Sequence, residues 1–316
     1  MRPIARTVLL SLVVSLGVIA LAEESWAAFA GGSRLLFYYT QRSIVNPAAA
    51  PGSAATIVGI TNQSFDTAVK VRVNIFNGST CANFGPVTFD LSPRRTLRLN
   101  VGTEVTAAGF PEGWVDVYAV NAGGLPIRWD QLAGKGTILD FGGANTAAVT
   151  YEAAGLFSDD PNRTVGADTQ GSLISNTSHI NTFGMTEGTV EFWAPGGSFG
   201  IGDRLIVIPV SAIPGTAPAA TSINSDWFKT DETQTLNDQA INTTCMVASS
   251  LASLHPAFAT NYPNTDGVAD GGNLSLLSLT NKGFVGALAE FGTAPVALLT
   301  VSPIQQLLGG GEETHE

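Results

Sequence analysis

Gly196-Gly197-Ser198-Phe199-Gly200 is the one stretch of this chain that spells a nucleophile elbow, the G-x-S-x-G turn in which a strained strand-to-helix connection lifts a serine toward a histidine and an oxyanion hole. Its flanks do not suit that role. Pro195 precedes it, and Ile201-Gly202-Asp203 leads into an apolar strand where a helix is required, so the segment is expected to be a glycine-rich hairpin loop. The three histidines, His179, His255 and His315, have neither the i, i+4 nor the H-E-x-x-H spacing of a zinc site. Asn264, Asp266, Asp270 and Asn273 place oxygen ligands among turn glycines and are the candidate Ca²⁺ loop. Val268 interrupts the alternate-ligand pattern and no glutamate closes the loop, so it is not an EF-hand. Asp159, Asp160 and Asp168 form a weaker set of the same kind. Trp193, on the opposite strand face from Val190 and Phe192, is an aromatic that can stack on a sugar ring or pack in a core. Asp116, Asp130 and Glu191 are carboxylates that a fold would have to bring together for hydrolysis.

Two cysteines, Cys81 and Cys245, are an even pair, and their pairing is expected to join the two halves of the chain. No C-x-x-C occurs, which leaves a dithiol redox role unsupported and excludes C-x-x-C-H haem attachment. Arg2 and Arg6, the apolar run from Val8 to Ala22, and Ser25-Trp26-Ala27 have the order of a cleavable export signal over residues 1–27. The net charge of -11 speaks against nucleic acid or an anionic membrane as partner, because phosphate binding needs clustered Lys and Arg. Arg94, Arg95 and Arg98 are the only basic cluster; Arg94 and Arg98 are expected on the solvated face of a strand with Leu97 and Leu99 opposite.

The elements that must position these groups read as strands. Residues 56–61, 69–76, 87–91, 96–101, 114–120 and 137–141 are short apolar or β-branched runs bounded by Gly, Pro, Asn or Asp. Val69, Val71, Val73 and Ile75 alternate with Lys70, Arg72 and Asn74, which puts one face in a core and the other in water. Later strands are expected at 189–193, 205–210 (apolar on both faces, hence central), 274–280, 284–291 and 296–301. Residues 211–245 carry little pattern and exceed ordinary loop length, so they are expected to be a functional excursion or a helix. Ile60-Thr61-Asn62-Gln63-Ser64-Phe65 and Leu279-Thr280-Asn281-Lys282-Gly283-Phe284 share the pattern apolar-Thr-Asn-x-x-Phe, the trace of a duplicated sandwich or simply of Thr-Asn at strand ends. The fold class is all-β, an antiparallel sandwich or jelly roll, as one large or two successive sandwiches. The expected division is a signal over 1–27, a sandwich over 28–157, a second β-rich region over 158–303 and a disordered acidic tail over 304–316.

Leu35-Leu36-Phe37-Tyr38-Tyr39, residues 55–62, the strand ending Ile75-Phe76-Asn77, and Cys81 followed by Val87-Thr88-Phe89-Asp90-Leu91 carry a resemblance. Over residues 34–150 the chain resembles a loose group of exported β-sandwich proteins of environmental Gram-negative bacteria. The resemblance implies an extracytoplasmic sandwich and no particular activity. The leading functional expectation is therefore an exported, non-enzymatic structural or adhesive cell-surface protein acting through self-assembly or surface contacts. Its partners would be copies of itself or cell-surface components, and no cofactor is expected beyond the Ca²⁺ candidate. A sugar- or Ca²⁺-binding module and a secreted hydrolase with a site assembled from distant residues are the alternatives. An outer-membrane barrel is a fourth, opposed by the polar 211–245 stretch and the hydrophilic C-terminus.

Overall fold

The computed structural model describes residues 32–46, 48–104, 110–143, 146–156, 187–193, 201–211, 213–229, 234–254, 271–280, 282–292 and 299–306. Residues 31–316 form one compact unit. Its first nine strands are β1 (Arg34–Thr40), β2 (Ala54–Asn62), β3 (Val69–Asn77), β4 (Asn83–Leu91), β5 (Thr96–Asn100), β6 (Glu112–Val120), β7 (Leu132–Asp140), β8 (Ala147–Glu152) and β9 (Ala154–Leu156), with a one-turn helix α1 (Val101–Glu104) after β5. They make two antiparallel sheets of order β5-β2-β7-β8 and β4-β3-β6-β1-β9. The strict alternation of β3 works as expected on its inner side, where Val69, Val71, Val73 and Ile75 meet Leu35, Phe37, Val58, Ile60, Val115 and Val117 in one core. Its other side is not all in water: Lys70 and Arg72 are half-exposed, but Asn74 is buried.

The remaining strands are β10 (Glu187–Trp193), β11 (Ile201–Pro209), β12 (Thr221–Lys229), β13 (Gln234–Thr243), β14 (Val247–Ser249), β15 (Gly271–Ser278), β16 (Phe284–Gly292), β17 (Leu299–Pro303) and β18 (Gln305–Gln306), with α2 (Leu251–Leu254) after β14. Their sheets are β14-β11-β16-β17 and β13-β12-β15-β10-β18. Strand for strand, this is the first arrangement over again. The register agrees as well. Val58 pairs with Leu99 two residues before α1, and Leu205 pairs with Ser249 two residues before α2. Ala153 N–H donates to Gly134 O as Ile304 N–H donates to Gly286 O. The described residues thus form two nine-stranded sandwiches of one topology. The shared Thr-Asn pattern is not its trace, because Ile60 lies in β2 whereas Leu279 follows β15, the counterpart of β6.

Several expectations are corrected by this arrangement. Among the described residues, 211–245 are not a helix: after a turn that runs to residue 220 they hold β12 and β13, an antiparallel pair whose inward positions include Thr221 and Ser225, hydroxyl residues that blur the apolar alternation. The connection through 194–200 is no hairpin, since β10 pairs with β15 and β18 while β11 pairs with β14 and β16 in the facing sheet. Val101 begins a helix instead of ending a strand. Ile304 is buried and Gln305–Gln306 pairs with β10, so structure continues past residue 304. Among the described residues all four sheets are open, with edge strands on both sides, and no barrel closes.

The two sandwiches meet sheet to sheet. From the first, Leu36, Tyr38, Phe76 and Trp114 point away from their own core; from the second, Ile206, Ile208, Val285 and Phe291 do the same, and all eight lie in one buried cluster. Central placement of β11 follows from this: Leu205 and Val207 fill its own sandwich while Ile206 and Ile208 cover the neighbour. Trp114 stacks on Phe76 with ring centroids 4.7 Å apart. Beside it Gly113 is obligatory, because a Cβ there would lie 1.8 Å from the Phe76 carbonyl oxygen. Trp114→Ala should cost about 3–5 kcal/mol in urea denaturation, a cavity in a fully buried layer. Thr150→Ala, on the exposed face of the outermost sheet, should change stability by less than about 0.5 kcal/mol.

Candidate functional site

The junction between the sandwiches holds a set of buried polar and charged groups. Arg34 at the start of β1 and Asp116 in the middle of β6 are diagonal neighbours on paired strands, and both are essentially inaccessible. Arg34 Nε donates to Asp116 Oδ1 at 2.8 Å and Nη2 to Oδ2 at 2.7 Å, a bidentate fork. The second sandwich completes the pair: Arg34 Nη1 donates to the Ser211 carbonyl at 2.7 Å, and Gly215 N–H donates to Asp116 Oδ2 at 2.7 Å. Gly215 has φ +75, and a Cβ there would collide with the Tyr118 hydroxyl and the Asn74 amide, so only glycine lets this turn seat itself. The turn carrying Ser211 and Gly215 is one part of the unpatterned stretch that makes cross-sandwich contacts.

Glu112, the first residue of β6, is the second junction. Tyr38 Oη donates to its Oε1, and Arg204 Nη2 from β11 donates to Oε2 at 2.6 Å. Burial pushes the Glu112 carboxyl above the ordinary glutamate range, and the Arg204 charge pulls it back. Tyr38 is raised well above the usual phenol value, chiefly by burial and then by the Glu112 charge. A cleft of about 420 Å³ opens here, lined by Gly78, Ser79, Glu112, Asn242, Met246 and Ser253 among others. Both Glu112 oxygens are engaged, one by Tyr38 of its own sandwich and one by Arg204 of the other, so the carboxylate bridges the two sandwiches.

The third junction is covalent. Cys81, in the β3–β4 turn, and Cys245, between β13 and β14, form a disulfide with Cα atoms 5.3 Å apart and a sequence separation of 164. This joins the two halves as the cysteine pair suggested. In the chain-entropy model so long a loop restricts the unfolded state by about 5 kcal/mol.

Among the described residues the other sequence candidates are not assembled into a site. Asp116 serves Arg34; Asp130 sits in the β6–β7 connection with Arg128 at 2.7 Å and the Ser33 hydroxyl; Glu191 is exposed on β10 opposite Asn273. The three carboxylates therefore occupy three different environments. Asn273 is an exposed position of β15, while Asn264, Asp266, Asp270, Asp159, Asp160, Asp168, Ser198 and all three histidines lie outside the described residues. Among the described residues no three His, Cys, Asp or Glu side chains converge as metal ligands. No helix there is long and apolar enough to cross a membrane. Glu112, Arg204 and Tyr38 were not signalled by any motif, since their contacts join strands far apart in sequence.

Asp203, next to Arg204 in β11, is a buried carboxylate whose Oδ1 accepts the N–H of Leu251 at the start of α2. Burial raises it from 3.8 to about 6, partly offset by that hydrogen bond. No family model matches the chain, and neither does any curated protein. Among solved structures it shows a likeness to the crystal structure of Thermotoga maritima 1070, at 12% identity and a TM-score of 0.29, over 40% of this chain and 96% of that one.

A raised acid binds its proton more tightly in the folded state, so stability is greatest below the unfolded value and falls as pH rises through the folded one. For Asp203 the loss should lie between about pH 4 and pH 6. Asp203→Asn keeps an oxygen for Leu251 N–H and removes the buried charge. It should raise stability at pH 7 by about 2–3 kcal/mol and remove that part of the pH dependence, read from denaturation midpoints at pH 4 and pH 7.

Proposed function

We propose that this chain is an exported, non-enzymatic structural or adhesive protein that presents a rigid two-sandwich block to its surroundings. The observation that carries the reading is the disulfide across the junction, because a bond between distant strands of separate sandwiches is maintained in an oxidising compartment and has a mechanical effect there. The basic and apolar order of residues 1–27 supports the same compartment. The non-enzymatic part rests on how the polar groups are used: Arg34 pairs with Asp116 and Arg204 with Glu112 inside the junction.

Between self-assembly and surface contact, the repeat favours contact. The face of the first sandwich that accepts the second carries Leu36, Tyr38 and Trp114. Aligned by register, the same positions on the outermost sheet of the second are Thr189, Glu191 and Asn273. The face of the second that docks carries Ile206, Ile208 and Phe291, where the outermost sheet of the first has Gly59, Thr61 and Leu139. Both ends of the stack are thus poor copies of the interface within it, as terminal repeats are in stacked-repeat proteins.

Fractionation of cells making the full chain, with N-terminal sequencing, should find it outside the cytoplasm and beginning near residue 28. Size-exclusion chromatography with light scattering should then give a monomer. Filaments or sheets would replace the contact reading with self-assembly, and a cytoplasmic chain with separate, alkylatable Cys81 and Cys245 would remove its basis. Cys81→Ser with Cys245→Ser should leave both sandwiches folded but lower the unfolding midpoint, by about 2–5 kcal/mol in stability, followed by circular dichroism in urea.

A further inference from the structure

One end of the first sandwich is built to expose what the rest of the molecule hides. There the β2–β3 and β4–β5 turns are tied together by Asn62, which is fully buried. Its amide donates to Thr67 O and Leu91 O at 2.9 and 3.2 Å, and its oxygen accepts from Ser64 N–H and from the Trp129 indole at 3.1 and 3.3 Å. Arg94 N–H donates to Ser64 O at 3.1 Å, locking one turn against the other. On this rigid base Phe65 stands 76% exposed, with the Arg94 guanidinium 3.8 Å above its ring centre. So large an exposure leaves the other ring face open. Arg95 is exposed alongside, and Asp66 is the acidic neighbour, its carboxylate bonded within the turn to the Thr67 and Ser64 hydroxyls.

Arg94 is not the strand residue its spacing with Arg98 suggested. It sits in the turn at φ 56, a left-handed conformation that glycine adopts freely and arginine at a cost. Local folding would be served better by glycine, so the side chain is what this position retains. Arg94, from the only basic cluster of an otherwise acidic chain, is therefore stacked on one face of an exposed aromatic whose other face is open, on a preorganised turn.

Resting on the adhesive reading, we propose that Phe65, Arg94 and Arg95 form a subsite for a carboxylated sugar residue of a surface glycan. The apolar C–H face of a pyranose lies on the free face of Phe65 and its carboxylate accepts hydrogen bonds from the exposed Arg95 guanidinium, while Arg94, stacked on the opposite face, holds the ring in place. The net charge of -11 selects a single acidic sugar among neutral ones over a densely anionic polymer or membrane, which the body of the protein repels.

The test is calorimetric or NMR titration of the full chain with a glucuronate-terminated oligosaccharide and with its neutral glucose counterpart. The acidic sugar should bind at least about tenfold tighter than the neutral one, with Phe65→Ala and Arg95→Ala each costing about tenfold. Arg94→Gly should lose binding while its unfolding midpoint stays level or rises, which separates recognition from folding. Equal binding of both sugars would overturn the carboxylate assignment. Binding unchanged in Phe65→Ala would reduce it to simple charge attraction, and Phe65-dependent binding to anionic vesicles without sugar binding would assign the turn to a membrane instead. If no sugar binds while the unaltered chain still adheres to cells, the subsite fails and the adhesive reading stands; if neither occurs, both fail.

Discussion

A β-sheet has two faces, and in this protein the inner sheet of the first sandwich is apolar on both. Leu35, Phe37 and Tyr39 alternate along β1 with Leu36 and Tyr38, so filling one core leaves a second apolar surface to be covered. Phe76 and Trp114 enlarge that surface. The second sandwich supplies the cover through Ile206, Ile208, Val285 and Phe291, and the rest of the architecture follows from that requirement. Neither half is well described alone, because the middle sheets of the stack are each the core of one sandwich and the interface of the other.

Apolar contact has no preferred angle or register, and the polar groups at the junction supply them. The Arg34–Asp116 fork would be costly as an isolated buried pair. Here Ser211 O and Gly215 N–H from the other sandwich take up further hydrogen bonds, so the pair is fully satisfied only in the docked arrangement. Arg204 with Glu112 does the same work from the opposite direction, and the disulfide closes the side on which Glu112 opens to the cleft. Fixing the angle with charge and the separation with a covalent bond makes a block with little freedom between its parts.

How much of this was legible depended on whether a residue's partners lie on its own strand. β3 was readable because Val69 to Ile75 alternate against Lys70 and Arg72, and β11 because apolar residues on both faces mark a central strand. β1 gives no alternation to read, since all seven of its residues are buried. β12 was missed because Ser225 and Thr221 take inward places that usually hold aliphatic side chains; Ser225 Oγ accepts from the Trp227 indole and donates to Gln239 O, which makes a serine suitable there. Arg94 was misplaced because turn geometry, set by Asn62 from another loop, overrides strand spacing. The cysteine pair was recoverable from its number alone, whereas the Glu112 and Arg204 pairing depends on how two sheets meet and leaves no local signature.

The repeat also shows where function has room to sit. When the same topology is used twice, corresponding positions hold the backbone environment constant and let the side chains report what each copy does. Trp114 corresponds to Asn273 and Tyr38 to Glu191, a change from interface to solvated surface with no change of strand, register or neighbour. The sheet faces are thereby accounted for: inner faces fill cores, two outer faces bind each other, and two outer faces end the stack. What this leaves unexplained by folding are groups that protrude from turns at an energetic disadvantage. Phe65 under Arg94 is such a group, an aromatic in water beneath an arginine in a glycine conformation, held there by a buried asparagine. A scaffold that pairs the charges at its junction internally and ends its own stacking with polar faces leaves its contacts with other molecules to the turns.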